Sequence, residues 1–245
     1  MVKMNSNTIY KIKNIQDNKV LIHHHLGLGD NIICNGILNY LTKKENIHCY
    51  LPVKNHYLEM LSFLYLENEK VSIFPVKNES RDQDIDAFAV KNNLDILRIG
   101  FEKIRKNKFN TYFYKQLGLP YKYTYSYFNL PENDEKSQEL KAHLFDYFKV
   151  NSDEYILVHN ESSYENYELN IENKENIIYI NKESDLFNNI FLYKDLIQNA
   201  DAIHCINGSF LHLVERVNTD AELYYHHKRK NNMYLSKKWK WISYD

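Results

Sequence analysis

The chain has 245 residues, enough for one large domain or two small ones. Its hydrophobic share of 44% and charged share of 26% are ordinary for a globular protein. A formal net charge of −1 lacks the basic excess of a protein built to coat nucleic acid, and no run of ~18 apolar residues is present to form a membrane-spanning helix.

The opening stretch, MVKMNSNTIYKIKNIQDN, has no apolar core of the kind a secretory signal carries. The three cysteines, Cys34, Cys49 and Cys205, are odd in number and lack metal-ligand spacing. They read as free thiols in a reducing compartment, and a cytoplasmic protein is expected. The first strong strand is KVLIHHH, residues 19–25, followed by the turn LGLGD. In the next stretch Ile33, Ile37, Leu38 and Leu41 recur at helical spacing. Then come a strand IHCYLPV, a helical stretch HYLEMLSFLYLEN and a strand KVSIFPV. RDQDIDAF reads as a solvated loop. Its Asp82, Asp84 and Asp86 are reminiscent of an Asp-x-Asp metal site, but no buried apolar strand leads into them.

Residues 100–135 read as a helix and then an extended segment. EKSQELKAHLFDYFKV predicts an amphipathic helix with Leu140, Leu144 and Phe148 on one face. The second half repeats the alternation. EYILVHN, ENIIYINKE and DAIHCIN are strands, NIFLYKDLIQNA and GSFLHLVERVN helices, and AELYYHH a final strand. Strands alternating with helices imply parallel sheets in an α/β fold. Two domains are expected, 1–140 and 141–245. HHHLGLGD, VHNESS, INKES and CINGS all follow strands, at the sheet edge where such folds bind ligands.

Gly27-Leu28-Gly29-Asp30 is the sharpest feature. A glycine-rich turn from strand to helix brings backbone close to a ligand and offers helix N–H groups to anions. It is not the dinucleotide fingerprint, because Ile32 stands where the third glycine belongs, and it lacks the Gly-Lys-Ser/Thr end of a P-loop. Two readings stay open on spacing alone: a ligand-facing carboxylate, or a tight turn with Asp30 as N-cap. The second feature is the turn Asn207-Gly208-Ser209 after a strand. Ser209 is the expected N-cap and His212 is expected in the first helical turn, an arrangement suited to a diphosphate. His23, His24 and His25 alternate faces on the predicted strand, which argues against a metal site, although His25 is placed to touch a ligand. The tail HHKRKNNMYLSKKWKWI reads as a segment that packs its tryptophans on the body. The alternative is peripheral contact with an anionic membrane surface.

LGLGDNIICNGILNYL resembles the N-terminal Gly-x-Gly-Asp turn of the GT-B glycosyltransferases related to bacterial heptosyltransferases, glycosyltransferase family 9. LIQNADAIHCINGSFLHLVERV is similar to their C-terminal donor segment, with its Gly-x-x-x-His turn and helix. Together the two stretches cover about 40 residues, in the order and spacing of that fold. The resemblance implies two Rossmann-like domains facing across a cleft, in a compact version. It implies an acceptor side in 1–140 and a nucleotide-sugar donor side in 141–245. It also implies inverting, metal-independent sugar transfer with no cofactor, to a glycan or lipid-linked saccharide hydroxyl. Asp30 is then the expected general base, with His25, Gly27, Gly29 and Asn31 on the acceptor-side turn. His159, Asn160, Glu161, Lys182, Asn207, Gly208, Ser209, Phe210 and His212 are the expected donor-side residues. The chain is short for the fold, and Asn207 and Ser209 stand where the family often has Asp or Thr. A non-catalytic nucleotide-sugar or sugar-binding module, or a nucleotide-sugar epimerase of the same architecture, would share these features.

Overall fold

The structure is a computed structural model that describes residues 7–102, 108–162, 165–172, 175–228 and 233–244. It divides between Pro131 and Glu132 into two α/β units. The predicted amphipathic helix, Asp134–Tyr147, therefore lies wholly in the second unit.

The first unit contains strands β1 (Thr8–Ile9), β2 (Lys19–His23), β3 (His48–Lys54), β4 (Val71–Val76) and β5 (Ile96–Arg98). They pair in parallel in the order β1-β5-β2-β3-β4. The crossovers carry helices α1 (Leu28–Lys43), α2 (Leu58–Leu64) and α3 (Arg81–Asn92), and α4 (Phe109–Leu117) and α5 (Tyr123–Ser126) follow β5. Val20, Leu21 and Ile22 of β2 are all buried, because a parallel strand is covered on both faces. After β2 the chain steps outward through β3 and β4, then returns to lay β5 on the other side of β2. The strand order reverses there. The crevice outside the carboxyl ends of β2 and β5 is thus the natural ligand position of this unit.

α1 is buried nearly all round, and several of its asparagines bond to one another or to neighbouring chain, while Asn31 Oδ1 and Asn35 Nδ2 are buried with no partner among the described residues. Asn39 Nδ2 donates to Asn35 Oδ1 at 3.0 Å, Asn68 Nδ2 donates to Asn39 Oδ1 at 2.7 Å, and the Asn129 amide donates to Asn35 Oδ1 at 3.0 Å. α5 lies directly on α1 at Gly36. A Cβ there would stand 2.4 Å from the Tyr123 carbonyl oxygen and 2.8 Å from the Tyr114 hydroxyl. In an exposed helix Gly→Ala stabilises by about 1 kcal/mol. Gly36→Ala is expected to do the reverse, costing about 1–3 kcal/mol through overpacking. Thermal denaturation of that variant checks the sign.

The second unit contains β6 (Ile156–His159), β7 (Ile177–Tyr179), β8 (Ala202–Cys205), β9 (Glu222–His227) and β10 (Trp239–Ser243), parallel in the order β10-β9-β8-β6-β7. Its helices are α6 (Asp134–Tyr147), α7 (Lys194–Asn199) and α8 (Ser209–Val214). Leu140 and Leu144 of α6 are fully buried, as the predicted face requires, whereas Phe148 caps the helix and is half-buried. β7 lies on one side of β6, and β8, β9 and β10 on the other. The reversal therefore falls between β6 and β8.

The class expected from the sequence, α/β with two Rossmann-like units, is the one observed. Four local expectations are corrected. RDQDIDAF is the start of α3 and not a loop, because Asp82 and Asp84 in a first turn favour a helix N-terminus and Asp84 accepts from the Lys77 amide and Ser80 hydroxyl. Tyr123–Ser126 forms α5 against α1 where an extended segment was expected. The predicted strand 19–25 ends at His23. AELYYHH is not the last strand, since the tail adds β10 beside β9.

Buried Glu215 explains the tail. Its carboxylate accepts from the Ser236 amide at 3.0 Å, the Lys237 amide at 3.2 Å and Trp239 Nε1 at 2.6 Å, which ties residues 236–239 to the end of α8. Trp239 is thereby buried, as expected, and Trp241 stays half-exposed against Tyr225. Residues 229–232 of the tail lie outside the described residues. No helix among the described residues is long and apolar enough to cross a membrane.

Candidate functional site

In the first unit the turn after β2 runs directly into α1. Gly27, and not Asp30, is the N-cap, so Gly29 and Asp30 are the second and third helical residues. Asp30 reaches back to the Gly27 amide, the return half of a capping box. This contact accounts for Gly27, since a Cβ at that position would lie 2.6 Å from Asp30 Oδ2. Burial raises the Asp30 carboxyl above its ordinary value, while the charge of His25, the Gly27 amide and the charge of Lys54 oppose the rise. Tyr57 shares the surroundings, and burial and the Asp30 charge both raise its phenol. Asp30 itself remains partly exposed.

The three histidines part company. His23 is buried, with Nδ1 accepting from Arg98 Nε at 3.4 Å and Nε2 3.7 Å from Asp82 Oδ1, and burial lowers it to about 4. His24 is fully buried, accepts the Leu26 amide on Nδ1 at 3.1 Å, and is lowered by burial to about 3. His25 alone is exposed. Its Nε2 meets the Gly100 carbonyl at 2.8 Å, and its ring packs on Phe101 at 4.7 Å. Gly100, at φ +84°, presents that carbonyl, and Gln116 of α4 holds the same loop by accepting the Gly100 amide and donating to the Arg98 carbonyl. Asn31 is turned inward, with Nδ2 donating to the Gly27 carbonyl at 2.8 Å. It braces the turn from beneath.

The turn therefore gathers, at one sheet edge, a partly exposed carboxylate, a pinned imidazole, Lys54 from the end of β3 and Arg98 from the end of β5. The sequence reading missed Lys54, Tyr57 and Arg98. Lys54 and Arg98 each end a parallel strand next to β2, so a census of strand carboxyl ends would have found both once Ile96–Arg98 was read as a strand.

In the second unit His159, Asn160, Asn207 and Gly208 lie at the ends of β6 and β8, where the strand order reverses. His159 stacks on Phe210 with ring centroids 5.5 Å apart, its Nδ1 is buried with no partner among the described residues, and burial lowers it to about 4. A Cβ on Gly208 would approach His159 Cε1 to 2.9 Å. Gly208 is the N-cap of α8 where Ser209 was expected. Ser209 is the first helical residue. The Phe210 side chain is buried, so only its backbone can meet a ligand. His212 falls in the last turn of this short helix and not the first. It is buried and lowered by burial to about 3, and so is neutral at pH 7. Glu161 and Lys182 adjoin, with the Lys182 amide donating to Glu161 Oε2 at 3.3 Å. Asn160 exchanges hydrogen bonds with Tyr167, donating from Nδ2 to its carbonyl at 2.8 Å and accepting its amide at 2.9 Å.

Two cavities of this unit adjoin the segment between β6 and β7. One of about 430 Å³ is lined by Asn160, Tyr167 and Tyr179. One of about 820 Å³ lies at the opposite, amino-terminal edge of the sheet, with Glu154, Asp201, Glu222 and His204 on its walls. No group of three or more His, Cys, Asp or Glu among the described residues could hold a metal ion. All three cysteines are buried free thiols, as expected.

This arrangement defines a class: paired parallel α/β units, each with a strand reversal carrying a turn of polar residues. In fold the chain is similar to a glycosyl transferase of family 9 from Veillonella parvula DSM 2008, with a TM-score of 0.58 at 10% sequence identity over 92% of this chain and 86% of that one. A heptosyltransferase of E. coli, WaaC, solved with ADP, aligns with a TM-score of 0.47 at 9% identity over 92% of this chain and 90% of that one. No family model and no curated protein matches the sequence.

Proposed function

We propose that the protein is a glycosyltransferase that moves a sugar from a nucleotide-sugar donor to a hydroxyl acceptor, with inversion and without a metal ion. The observation that carries the proposal is positional. The two turns selected from sequence, around Asp30 and around Gly208, both lie at strand reversals, where parallel sheets bind ligands. The fold shared with a family 9 glycosyl transferase supports the same reading.

In this reading the first unit takes the acceptor. The acceptor hydroxyl gives its proton to Asp30 as its oxygen attacks the anomeric carbon. The bond from that carbon to the diphosphate breaks, and the electron pair leaves with the nucleoside diphosphate. Burial makes Asp30 a stronger base than an exposed carboxylate, the Gly27 amide holds it in place, and Asn31 braces the turn through the Gly27 carbonyl. The second unit takes the donor. The first-turn amides of α8, at Ser209 and Phe210, have no intrahelical partner and can receive diphosphate oxygens. α8 has only six residues, so these amides matter more than any long helix dipole. Lys182 is exposed and supplies a further positive charge.

A thermal-shift screen with ADP, GDP, UDP and their sugar conjugates tests the proposal. A ligand at 100 times its Kd adds about 2.7 kcal/mol to the native state. Shifts with a nucleotide and turnover only when an acceptor is added are expected. Binding without turnover would mark a binding module, and conversion of the nucleotide sugar without any acceptor an epimerase. Exhaustive EDTA treatment is expected to leave transfer intact. Activity that vanishes with chelator and returns with manganese or magnesium would overturn the metal-independent mechanism.

A further inference from the structure

The connection from β6 to β7 contains no helix among its described residues, and segment 165–172 lies against the sheet as irregular chain. It is fastened at its start, where Glu165 bonds to Ser162 and Asn166 bridges to Glu161, and again farther on. Tyr167 pairs with Asn160. Farther on, the Asn170 amide donates to the Tyr244 hydroxyl at 2.9 Å.

Tyr244 follows β10 and is joined to two histidines inside the sheet. Its hydroxyl lies 2.6 Å from His226 Nδ1, and His226 Nε2 lies 2.8 Å from His204 Nδ1. Both histidines are buried. One proton order uses every hydrogen. The Asn170 amide can only donate, so the Tyr244 oxygen accepts it. The Tyr244 hydroxyl then donates to His226 Nδ1, and His226 Nε2–H donates to His204 Nδ1. His204 is left with Nε2–H, and its side chain lines the larger cavity. The reverse order would strand the Tyr244 hydrogen. Burial lowers both histidines to about 4, so the chain is neutral at pH 7. Lys228 Nζ over the Tyr244 ring, 3.3 Å from its centroid, holds the phenol from one face. The His204 ring is fixed by stacking on Tyr224 at 4.3 Å.

We infer that Tyr244, anchored by His226 and His204, is a positioning residue that pins segment 165–172 to the sheet and thereby holds Asn160 at the donor end of β6. The link to Asn160 as a ligand-facing residue rests on the donor reading above; the pinning itself does not. The device joins the residue after β10 to Asn170, on the wall of the larger cavity, so the segment that adds β10 also holds the chain that leaves Asn160.

Hydrogen exchange followed by mass spectrometry on the full chain tests it, with titration of ADP, GDP and UDP as a second readout. Tyr244→Phe keeps the ring and removes the hydroxyl, leaving the Asn170 amide and His226 Nδ1 unpaired. Exchange in 165–172 is expected to quicken about tenfold, the usual worth of a lost hydrogen bond, with β6, β8 and β9 unchanged. Tyr224→Phe removes a hydroxyl from the same face outside the chain and is expected to leave 165–172 as in wild type. Unchanged exchange in Tyr244→Phe, or an increase spread evenly over the unit, overturns the pinning. Faster exchange in 165–172 with unchanged nucleotide affinity overturns the link to the donor end. If the wild-type chain binds none of the three nucleotides, the donor reading and that link fail together, while exchange still decides the pinning.

Discussion

Replacing Asp30 by Asn is expected to lower turnover by ~100-fold to ~10,000-fold, the range by which general-base assistance speeds proton transfer. The structure sharpens this expectation, because Asp30 has two roles that Asn separates. Asn keeps an oxygen that can accept the Gly27 amide, so the capping contact survives. It loses only the basicity. Stability follows with a definite sign. Burial raises the Asp30 carboxyl in the fold above its unfolded value, so the native state takes up this proton before the unfolded chain does. As pH rises past the unfolded carboxylate value the group weighs against folding, and the penalty grows until the folded pKa is passed. Asp30→Asn is therefore expected to melt no lower than wild type at pH 7, while Asp30→Ala, which loses the cap, melts lower by the equivalent of ~1 kcal/mol. The pH profile carries the same signature. Because the base must be ionised, the acid limb of turnover in the wild type should lie above the ordinary carboxylate value of about 4. An Asn variant turning over within a few-fold of wild type, with chemistry rate-limiting, would remove Asp30 from the mechanism.

A side chain at Gly208 is expected to weaken nucleoside diphosphate binding by about tenfold or more, taking ~1.4 kcal/mol as a moderate overpacking cost. The Gly208 backbone is extended, with φ −167°, and any residue can adopt it. The obstacle is His159, 2.9 Å from the position of an added Cβ and stacked on Phe210, whose ring in turn meets that of Tyr193. Relief must displace His159, Gly208 or both, and each is a candidate donor residue. Gly208→Ala should show the effect, and Gly208→Val should show it more strongly because its branch enlarges the clash. Calorimetry with the nucleotide that stabilises the wild type measures it, and a circular dichroism spectrum confirms that the sheet persists. Unchanged affinity in Gly208→Val would place the donor elsewhere.

The fold was legible where burial imposes a period. Ile33, Ile37 and Leu41 recur at helical spacing, and all three are buried in α1. KVSIFPV and AELYYHH are bounded correctly to within a residue because strands ended by turn residues leave little room for another reading. The misses have a common cause. Ile96–Arg98 is three residues long, too short to show a period, and exists because β1 and β2 pair on either side of it. Trp239–Ser243 is mostly exposed on its outer positions, and its strand character comes from β9 and from Glu215, 24 residues from Trp239 along the chain. Asp82 and Asp84 looked like loop residues because acidic clusters favour solvent, yet the same charges suit a first helical turn.

The sequence by itself determined the alternation of strands and helices, the two polar turns and the place of Asp30 after a pair of glycines. These are local properties, written in spacing and in the absence of side chains where backbone must turn. Tertiary structure alone decided which of the neighbouring groups matter. His23, His24 and His25 are identical in type and adjacent in sequence, yet two are buried and neutral and one is exposed, because β2 ends at His23 and the Gly100 carbonyl captures His25. His212 lost its expected place for a similar reason: α8 begins one residue early and turns that ring inward. Burial and charge at a residue depend on every element packed against it, and no window of sequence contains those elements together.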